Sequence, residues 1–172
     1  MSENAIVGAL SFEIHQLMLM RCSDVEKMDK LAEFNVSLPE ARRLSSQVQQ
    51  NLRPSPEQFR NLKELIGGSN SADSSIRYAS RLWPQFMFEA ASTNSGMIGD
   101  ARYVRRKGVP PAVLHPAALG TWSVTVDEFS ALFGPLQSVD SWYPNEEYVF
   151  ESAGRRYGVG FGWGLFLGVD QL

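Results

Sequence analysis

The stretch YGVGFGWGLFLGV, residues 157 to 169, decides the fold of the C-terminal part of the chain. Glycine occupies every second position from Gly158 to Gly164, and large apolar side chains lie between the glycines. Because successive side chains of a strand point to opposite faces of a sheet, this pattern predicts a strand with one bare face. A bare face lets a helix or another backbone approach closely. Packing inside the protein is the favoured explanation of the glycines, and a ligand cleft against the bare face is the alternative.

The same glycines do not form a dinucleotide-binding fingerprint. That motif requires the spacing Gly-x-Gly-x-x-Gly, but its third glycine falls on Trp163 when the motif begins at Gly158 and on Leu167 when it begins at Gly162. The apolar run is also shorter than the roughly 20 residues of a membrane-spanning helix. We therefore expect neither a cofactor nor a membrane partner.

The composition predicts a protein that folds without disulfides or metal. The chain has 172 residues, 44% of them hydrophobic, and its single cysteine, Cys22, has no partner for an intramolecular disulfide. The two histidines, His15 and His115, do not form a pair at metal-ligand spacing. The N-terminus lacks the basic start and uninterrupted apolar stretch of a secretory signal. These features predict a protein of the reducing cytoplasm with no metal site.

The N-terminal half carries the apolar periodicity and the capping residues of four helices. Apolar side chains recur at steps of three and four in the first helix, over residues 7–21. Serines that cap helix N-termini precede the other three, at Ser23, Ser37 and Ser55. The fourth pattern stops at Gly67, where a polar linker begins. We assign residues 1–70 to a helical lobe.

The second half changes from helical to strand periodicity. We expect a connecting helix over residues 71–95, kinked at Pro84 because an interior proline removes a helix hydrogen bond. A second lobe then spans residues 96–172. It begins as loop up to residue 120 and forms strands at TWSVTV (121–126) and EYVFES (147–152). Between them lies a short helix capped by Thr125 and Glu128, and the lobe ends in a Gly-rich β-hairpin. The predicted fold class is α+β, an N-terminal helical bundle followed by a small antiparallel β-sheet with a short helix.

A basic cluster in the second lobe is the strongest candidate for anion binding. The segment ARYVRRKGVPP, residues 101–111, contains Arg102, Arg105, Arg106 and Lys107. A guanidinium group matches the geometry of phosphate, so these side chains are candidates for nucleic-acid binding. The alternative is a solvated loop whose arginines pair with the acidic stretch downstream.

The predicted third helix carries a second set of nucleic-acid-binding residue types. With the helix before it, it forms a helical hairpin, and it displays Arg42, Arg43 and Gln47. Arginine and glutamine make bidentate contacts to guanine and adenine edges in the major groove. A solvated helix face explains the same residues, since helical hairpins are common in bundles.

Three stretches of the helical lobe resemble a known family. They are LSFEIHQLMLM (10–20), KLAEFNVSLPEARRL (30–44) and SPEQFRNLKEL (55–65). Over residues 8–66 the pattern is similar to the helical subunit of the bacterial flagellar master transcription regulator and related activators of mobile elements. The sequence departs from that pattern at Asn35, where the family usually has glycine. The resemblance implies a role in DNA binding or in an activator complex, with oligomerisation, and it assigns no individual binding residue.

Acidic and aromatic residues define the other candidate surface. From Gly108 to Gly154 the chain has six acidic residues and no lysine or arginine. Aromatic side chains supply buried area in a protein interface, and acidic ones orient a basic partner. The candidate partner-binding residues are Asp140, Trp142, Tyr143, Glu146 and Glu147.

These candidates support two functions. The first is a small bacterial or phage-type regulatory protein that binds DNA or a transcription complex, with homo-oligomerisation left open. The second is a protein-interaction module, such as an inhibitor, immunity protein or adaptor, whose acidic aromatic surface binds a basic protein. An enzyme is the least favoured class, because the adjacent Glu146 and Glu147 point to opposite faces of a strand and no serine has a G-x-S-x-G context.

Overall fold

The computed structural model describes residues 3–67 and 72–172 of the chain, with side chains from residue 8 onward. In these ranges the helices are α1 (Glu3–Leu19), α2 (Asp24–Ala32), α3 (Leu38–Asn51), α4 (Gln58–Ile66) and α5 (Val126–Phe133). The strands are β1 (Ser75–Ala79), β2 (Phe86–Ser92), β3 (Ile98–Arg105), β4 (Gln137–Trp142), β5 (Asn145–Ser152), β6 (Arg155–Gly162) and β7 (Leu165–Gln171). Helices α1 to α4 precede the strands, which form antiparallel sheets, so the predicted α+β class is confirmed.

Helix α1 is the central element of the molecule. Its middle, residues 12–17, is buried on every side, as expected for a helix enclosed between two layers. On one side Phe12 contacts the ring of Phe88 in β2 at a centroid distance of 5.3 Å. On another side His15 Nδ1 lies 2.8 Å from the hydroxyl oxygen of Ser45 in α3. Helix α1 therefore separates α3 from the sheet that contains β2.

The capping residues read from the sequence begin three of the helices. The cap predicted at Ser55 is wrong, because α4 begins after Glu57 without a side-chain capping bond. Ser23 and Glu26 form a reciprocal capping box at α2, and Thr125 forms another at α5. Ser37 accepts the hydrogen bond of the Glu40 backbone amide at α3. Each cap satisfies an amide that the helix itself leaves unpaired. The turn between α2 and α3 contains Asn35 at φ +56°, a left-handed conformation that asparagine tolerates better than most residues.

The connecting helix predicted over residues 71–95 is wrong. Strands β1 and β2 occupy most of this stretch, and with β3 they form an antiparallel sheet in the order β1-β2-β3, called sheet A. Pro84 lies in the loop between β1 and β2. The predicted linker after Gly67 includes residues 68–71, which lie outside the described residues. Strand β3 likewise replaces the predicted loop, so Arg102 and Arg105 belong to a strand.

Strands β4 to β7 form a second antiparallel sheet, called sheet B, in chain order. Two-residue turns with positive φ join β5 to β6 at Ala153-Gly154 and β6 to β7 at Trp163-Gly164, as in type I′ hairpin turns. The stretch 157–169 is therefore a glycine-rich hairpin. The predicted strand at 121–126 is wrong, because only Thr125 makes a bridge there, to Leu165.

Two apolar clusters form the core. The first combines α1, the other N-terminal helices and sheet A, and it also contains Trp163, Leu165 and Leu167 of the C-terminal hairpin. The second lies between α5 and sheet B around Phe129 and Phe161. Because the hairpin contributes to both clusters, the predicted boundary at residue 70 does not separate two independent cores.

Candidate functional site

The predicted partner-binding residues lie together on the β4–β5 hairpin. The pairing places Trp142 opposite Asn145 and Ser141 opposite Glu146. Trp142 is 73% exposed and Tyr143 is 62% exposed, and Val139 beside them is also exposed. Such neighbouring exposed apolar side chains mark interaction sites on protein surfaces. We call these three residues, with Asp140, Glu146 and Glu147, the acidic aromatic surface. It spans the edge of the hairpin, because Trp142 and Glu147 lie on one face of the sheet and Glu146 lies on the other.

Tyr143 is anchored although its ring is largely open to solvent. Its ring meets the edge of the Trp163 ring at a centroid distance of 5.3 Å, and its hydroxyl donates to the Ala101 carbonyl at 3.4 Å. These contacts tie the turn between β4 and β5 to sheet A. The exposed aromatic group therefore has a fixed position, which lowers the entropy lost when a partner binds.

The acidic residues of this surface differ in their surroundings. Glu147 forms an ion pair with Arg21 at 2.7 Å, so much of its charge is neutralised. Glu146 accepts a hydrogen bond from the Tyr148 hydroxyl at 2.7 Å. Burial, followed by the proximity of Glu146, raises the pKa of Tyr148 to about 12. Asp140 is exposed on β4. Asp140 and Glu146 are therefore the acidic groups best placed to attract a cation.

The glycines of the hairpin face an open groove of about 630 Å³. Its floor contains Gly158, Gly160 and Gly168, and Arg21 and Cys22 line it where α1 leads into α2. Burial raises the pKa of the Cys22 thiol to about 11, so the thiol is protonated at neutral pH. The groove is therefore a shaped depression without an activated nucleophile at Cys22.

Close packing accounts for only part of the glycine pattern. A Cβ atom on Gly162 would lie 2.8 Å from Cγ of Met20, so the end of α1 needs glycine there. A Cβ atom on Gly160 or Gly168 would meet nothing within 4 Å. The predicted close approach thus occurs at Gly162, beside Met20 directly after α1, and at Gly164, beside Arg102 and Tyr103 of β3. The glycines that border the groove are Gly158, Gly160 and Gly168.

Arg105 does not belong to a free basic surface. Its guanidinium bonds to Glu128 at 2.5 and 3.2 Å and to the Ser123 carbonyl at 2.8 Å, and it lies over the ring of Phe86. Only 16% of its side chain is exposed. Glu128 belongs to the acidic stretch downstream, so this arginine makes the internal pairing that was the alternative interpretation.

The other members of the basic cluster remain at the surface. Arg102 and Lys107 are exposed, and Arg106 is exposed with a weak bond from Nη1 to the Pro84 carbonyl at 3.4 Å. Arg102 lies opposite Glu89 in the pairing of β2 with β3, and Glu89 forms an ion pair with Arg77 at 3.0 Å. An acidic side chain therefore lies among the exposed arginines of sheet A.

The second predicted nucleic-acid set lies on a different layer. Arg42, Arg43 and Gln47 are exposed on α3, and Arg42 is 3.9 Å from Asp24. Helix α1 lies between α3 and sheet A, so the structure does not bring these residues together with Arg102. A nucleic acid that contacts α3 therefore meets no continuous basic surface with β3.

The sequence patterns did not reveal a buried polar cluster beneath α1. The Glu13 carboxylate is fully buried and accepts bonds from the Ser80 hydroxyl and from the Arg81 and Leu82 amides. Burial raises the pKa of Glu13. Among the described residues, the buried atoms Gln16 Nε2 and Tyr78 Oη have no hydrogen-bond partner. Glu13, Gln16 and Ser80 are buried, so this cluster belongs to the core.

Comparisons with known proteins leave the candidate surfaces to be judged on their geometry. No family model matches the chain, and neither a curated protein nor a solved structure matches it. The described residues contain no cluster of His, Cys, Asp or Glu side chains that could hold a metal ion. Over the same ranges, no helix combines the length and apolar character needed to cross a membrane.

Proposed function

We propose that this protein is a protein-interaction module that binds a basic protein partner through the acidic aromatic surface. The observation that carries the proposal is the exposure of Trp142 and Tyr143, at 73% and 62%, where β4 meets the turn anchored by Tyr143. Tryptophan and tyrosine are the residue types enriched among those that dominate binding energy in interfaces. Their burial against a partner would supply apolar area at a low cost in conformational entropy.

The charges around the aromatic residues support a basic partner. Between residues 108 and 154 the chain contains six acidic residues and no lysine or arginine. Asp140 and Glu146 flank the exposed aromatic pair and have no ion pair among the described contacts. Complementary charge accelerates the encounter of two proteins and selects against acidic competitors.

The proposal is tested by capture of proteins from a bacterial extract, followed by measurement of dissociation constants with purified captured proteins. The double variant Trp142→Ala/Tyr143→Ala should bind a captured basic protein at least about 30-fold more weakly. Leu114→Ala is the matched control, because Leu114 is an exposed apolar residue outside this surface. A basic partner that binds the double variant as tightly as the wild type contradicts the proposal.

DNA binding is the second candidate, supported by the helical hairpin of α2 and α3. Both helices carry their predicted serine caps, and Arg43 and Gln47, four residues apart on α3, are exposed. Residues at this spacing share one face of a helix, as base-contacting residues of a recognition helix do. The resemblance of residues 8–66 to transcription activators stays a prediction that points in the same direction.

Fluorescence anisotropy with mixed-sequence duplex DNA distinguishes the two candidates. If α3 binds DNA, the triple variant Arg42→Ala/Arg43→Ala/Gln47→Ala should weaken binding and flatten its salt dependence. The control is Arg155→Ala/Arg156→Ala/Gln171→Ala, which removes the same residue types from sheet B, where all three are exposed. Equal DNA binding by the wild type and the α3 variant excludes α3 as the site.

A further inference from the structure

We propose that the basic partner contributes an extended segment that pairs with the open edge of β4 and becomes a fifth strand of sheet B. This inference rests on the proposed function and specifies how the partner is held. Strand addition gives affinity through backbone hydrogen bonds and specificity through alternating side chains. Three features of β4 support it: its unpaired edge, its exposure and its charge.

Strand β4 is the open edge of sheet B. Its only pairing is with β5, and in the described part of the chain its backbone groups make no other backbone hydrogen bond. The opposite edge, at β7, is covered at its start, because Trp122 N donates to the Phe166 carbonyl and Phe166 N donates to the Val124 carbonyl. An unpaired strand edge presents donors and acceptors that another chain can use.

The middle of β4 forms a bulge in its pairing with β5. The register shifts between Ser138 and Ser141, which leaves Val139 and Asp140 without partners in the pairing. All six residues of β4 are exposed, although a strand in a sheet normally buries at least one face. Natural edges are protected by bulges, charged side chains, lysine or proline. Strand β4 has a bulge and the charge of Asp140, but it contains neither lysine nor proline. The strand therefore combines free backbone groups with exposed apolar side chains.

The two faces of β4 offer different surroundings to an added strand. Val139 borders the glycine groove, and Trp142 lies opposite Asn145, whose side chain reaches Leu19 and Arg21 on that same face. Glu146 lies opposite Ser141 on the other face. An added strand would therefore place apolar side chains beside Val139 and Trp142 and cationic ones beside Glu146. Alternating apolar and basic residues fit this edge best.

Charge favours a basic partner over a second copy of this chain. The β4–β5 hairpin, residues 137–152, contains four acidic residues and no lysine or arginine. Antiparallel pairing of two β4 strands about a twofold axis would bring these like charges together, and like charges facing each other across a strand pair are destabilising. A lysine- or arginine-bearing strand avoids this repulsion.

The test uses a fluorescein-labelled peptide of alternating lysine and valine, about ten residues long, as a strand requires. Two further versions carry N-methyl groups on either the lysine or the valine amides, so that each lacks the donors of one edge. Strand addition uses one edge of the peptide, so one version should bind at least about tenfold more weakly while the other keeps its affinity. Equal binding of both versions overturns strand addition.

Hydrogen exchange and substitutions in the protein identify where the peptide binds. Hydrogen exchange of amides in β4 should slow on peptide binding, whereas exchange in β7 should not change. Asp140→Lys should weaken binding several-fold, and Asp127→Lys, the same charge change at an exposed site on α5, should have a smaller effect. Protection confined to another element overturns the assignment to β4, and so does a dimer formed through β4 in sedimentation without peptide.

Different results would contradict the interaction module and the strand addition. A captured partner that needs Trp142 and Tyr143 but leaves β4 amide exchange unchanged overturns strand addition and keeps the interaction module. A partner that is indifferent to Trp142 and Tyr143 overturns the module itself, whatever the peptides show.

Discussion

Arg105 is a charged residue that the fold uses to hold two elements together. Its guanidinium joins β3 to α5 through Glu128, and the same glutamate accepts the Thr125 amide in the capping box. One carboxylate therefore serves both the start of α5 and its attachment to sheet A. Removal of the arginine would leave a mostly buried carboxylate without its cation.

We predict that Arg105→Met lowers the free energy of unfolding by about 2 kcal/mol, because an uncompensated carboxylate remains inside the protein. Arg106→Met is the neighbouring control and should cost less than about 0.5 kcal/mol, since Arg106 is exposed. Urea unfolding of both variants measures the difference. Equal stabilities would show that the Glu128 pair contributes nothing.

Ionisation of the buried Glu13 side chain destabilises the folded state. Burial raises its pKa above the ordinary value of 4.5, and no Lys or Arg side chain forms an ion pair with it among the described residues. The folded state therefore retains the proton to higher pH than the unfolded chain does. The stabilising contribution of this carboxyl is complete below about pH 4.5 and is lost as pH rises through the raised pKa.

Glu13→Gln should remove this pH dependence, because glutamine stays uncharged. Measured by urea unfolding between pH 4 and 8, the stability difference should move in favour of the variant as pH rises. The change should be about 1.4 kcal/mol for each pH unit between the unfolded and folded pKa values. A difference that stays constant with pH would contradict an elevated pKa of Glu13.

Strand β6 offers a direct comparison of two glycines on one element. Gly162 lies under Met20, whereas Gly160 has free space where a Cβ would be. We predict that Gly160→Ala raises the free energy of unfolding by about 0.5–1 kcal/mol, because alanine loses less conformational entropy on folding. Gly162→Ala should lower it by about 1–3 kcal/mol through steric overlap. Thermal unfolding of the two variants should give shifts of opposite sign.

Capping residues and apolar periodicity predicted the helices far better than they predicted sheet A. Ser23, Ser37 and Thr125 cap helices as expected, because a capping bond depends on residues three positions apart. Between residues 76 and 87, apolar side chains recur mostly at steps of three and four, which favours the predicted helix. Instead, residues 86–92 form a strand that buries the alternate residues Phe86, Phe88 and Ala90. The contact of Phe88 with Phe12 in α1 joins residues more than 60 positions apart, which local periodicity does not contain.

The sequence predicts which residue types form the candidate site, but it does not predict the contacts that these residues make. The acidic stretch and its aromatic residues are visible in the sequence, and the structure places Trp142 and Tyr143 at the surface. The pairing of Glu147 with Arg21 joins residues 126 positions apart. The open edge of β4 depends on which strand ends the sheet. Both features depend on contacts between distant parts of the chain, so no short sequence motif predicts them.

At the scale of the whole molecule, the C-terminal hairpin joins the two apolar clusters. Trp163 Nε1 donates to the Gln16 carbonyl at 3.1 Å, and the Trp163 carbonyl accepts the Tyr103 amide at 2.9 Å. The tip of the hairpin therefore bonds to both α1 and β3. Separate unfolding of the two halves would expose this buried tryptophan and break both bonds.

We predict that the protein unfolds in one cooperative transition, with tryptophan fluorescence and far-ultraviolet circular dichroism giving the same midpoint. Trp163→Ala should lower the free energy of unfolding by about 3–5 kcal/mol. Trp142→Ala is the control and should change stability little, because Trp142 is largely exposed. Two separate transitions in the wild-type protein would contradict the coupling through Trp163.

The late position of Trp163 in the chain also means that the first apolar cluster is completed only near the end of synthesis. Helix α1 and sheet A are synthesised before residue 106, yet the cluster that they enclose includes Trp163, Leu165 and Leu167. At about 5–20 residues per second, synthesis of the intervening segment takes on the order of several seconds. Throughout that interval the hairpin is not yet present to cover the apolar surface of the first cluster.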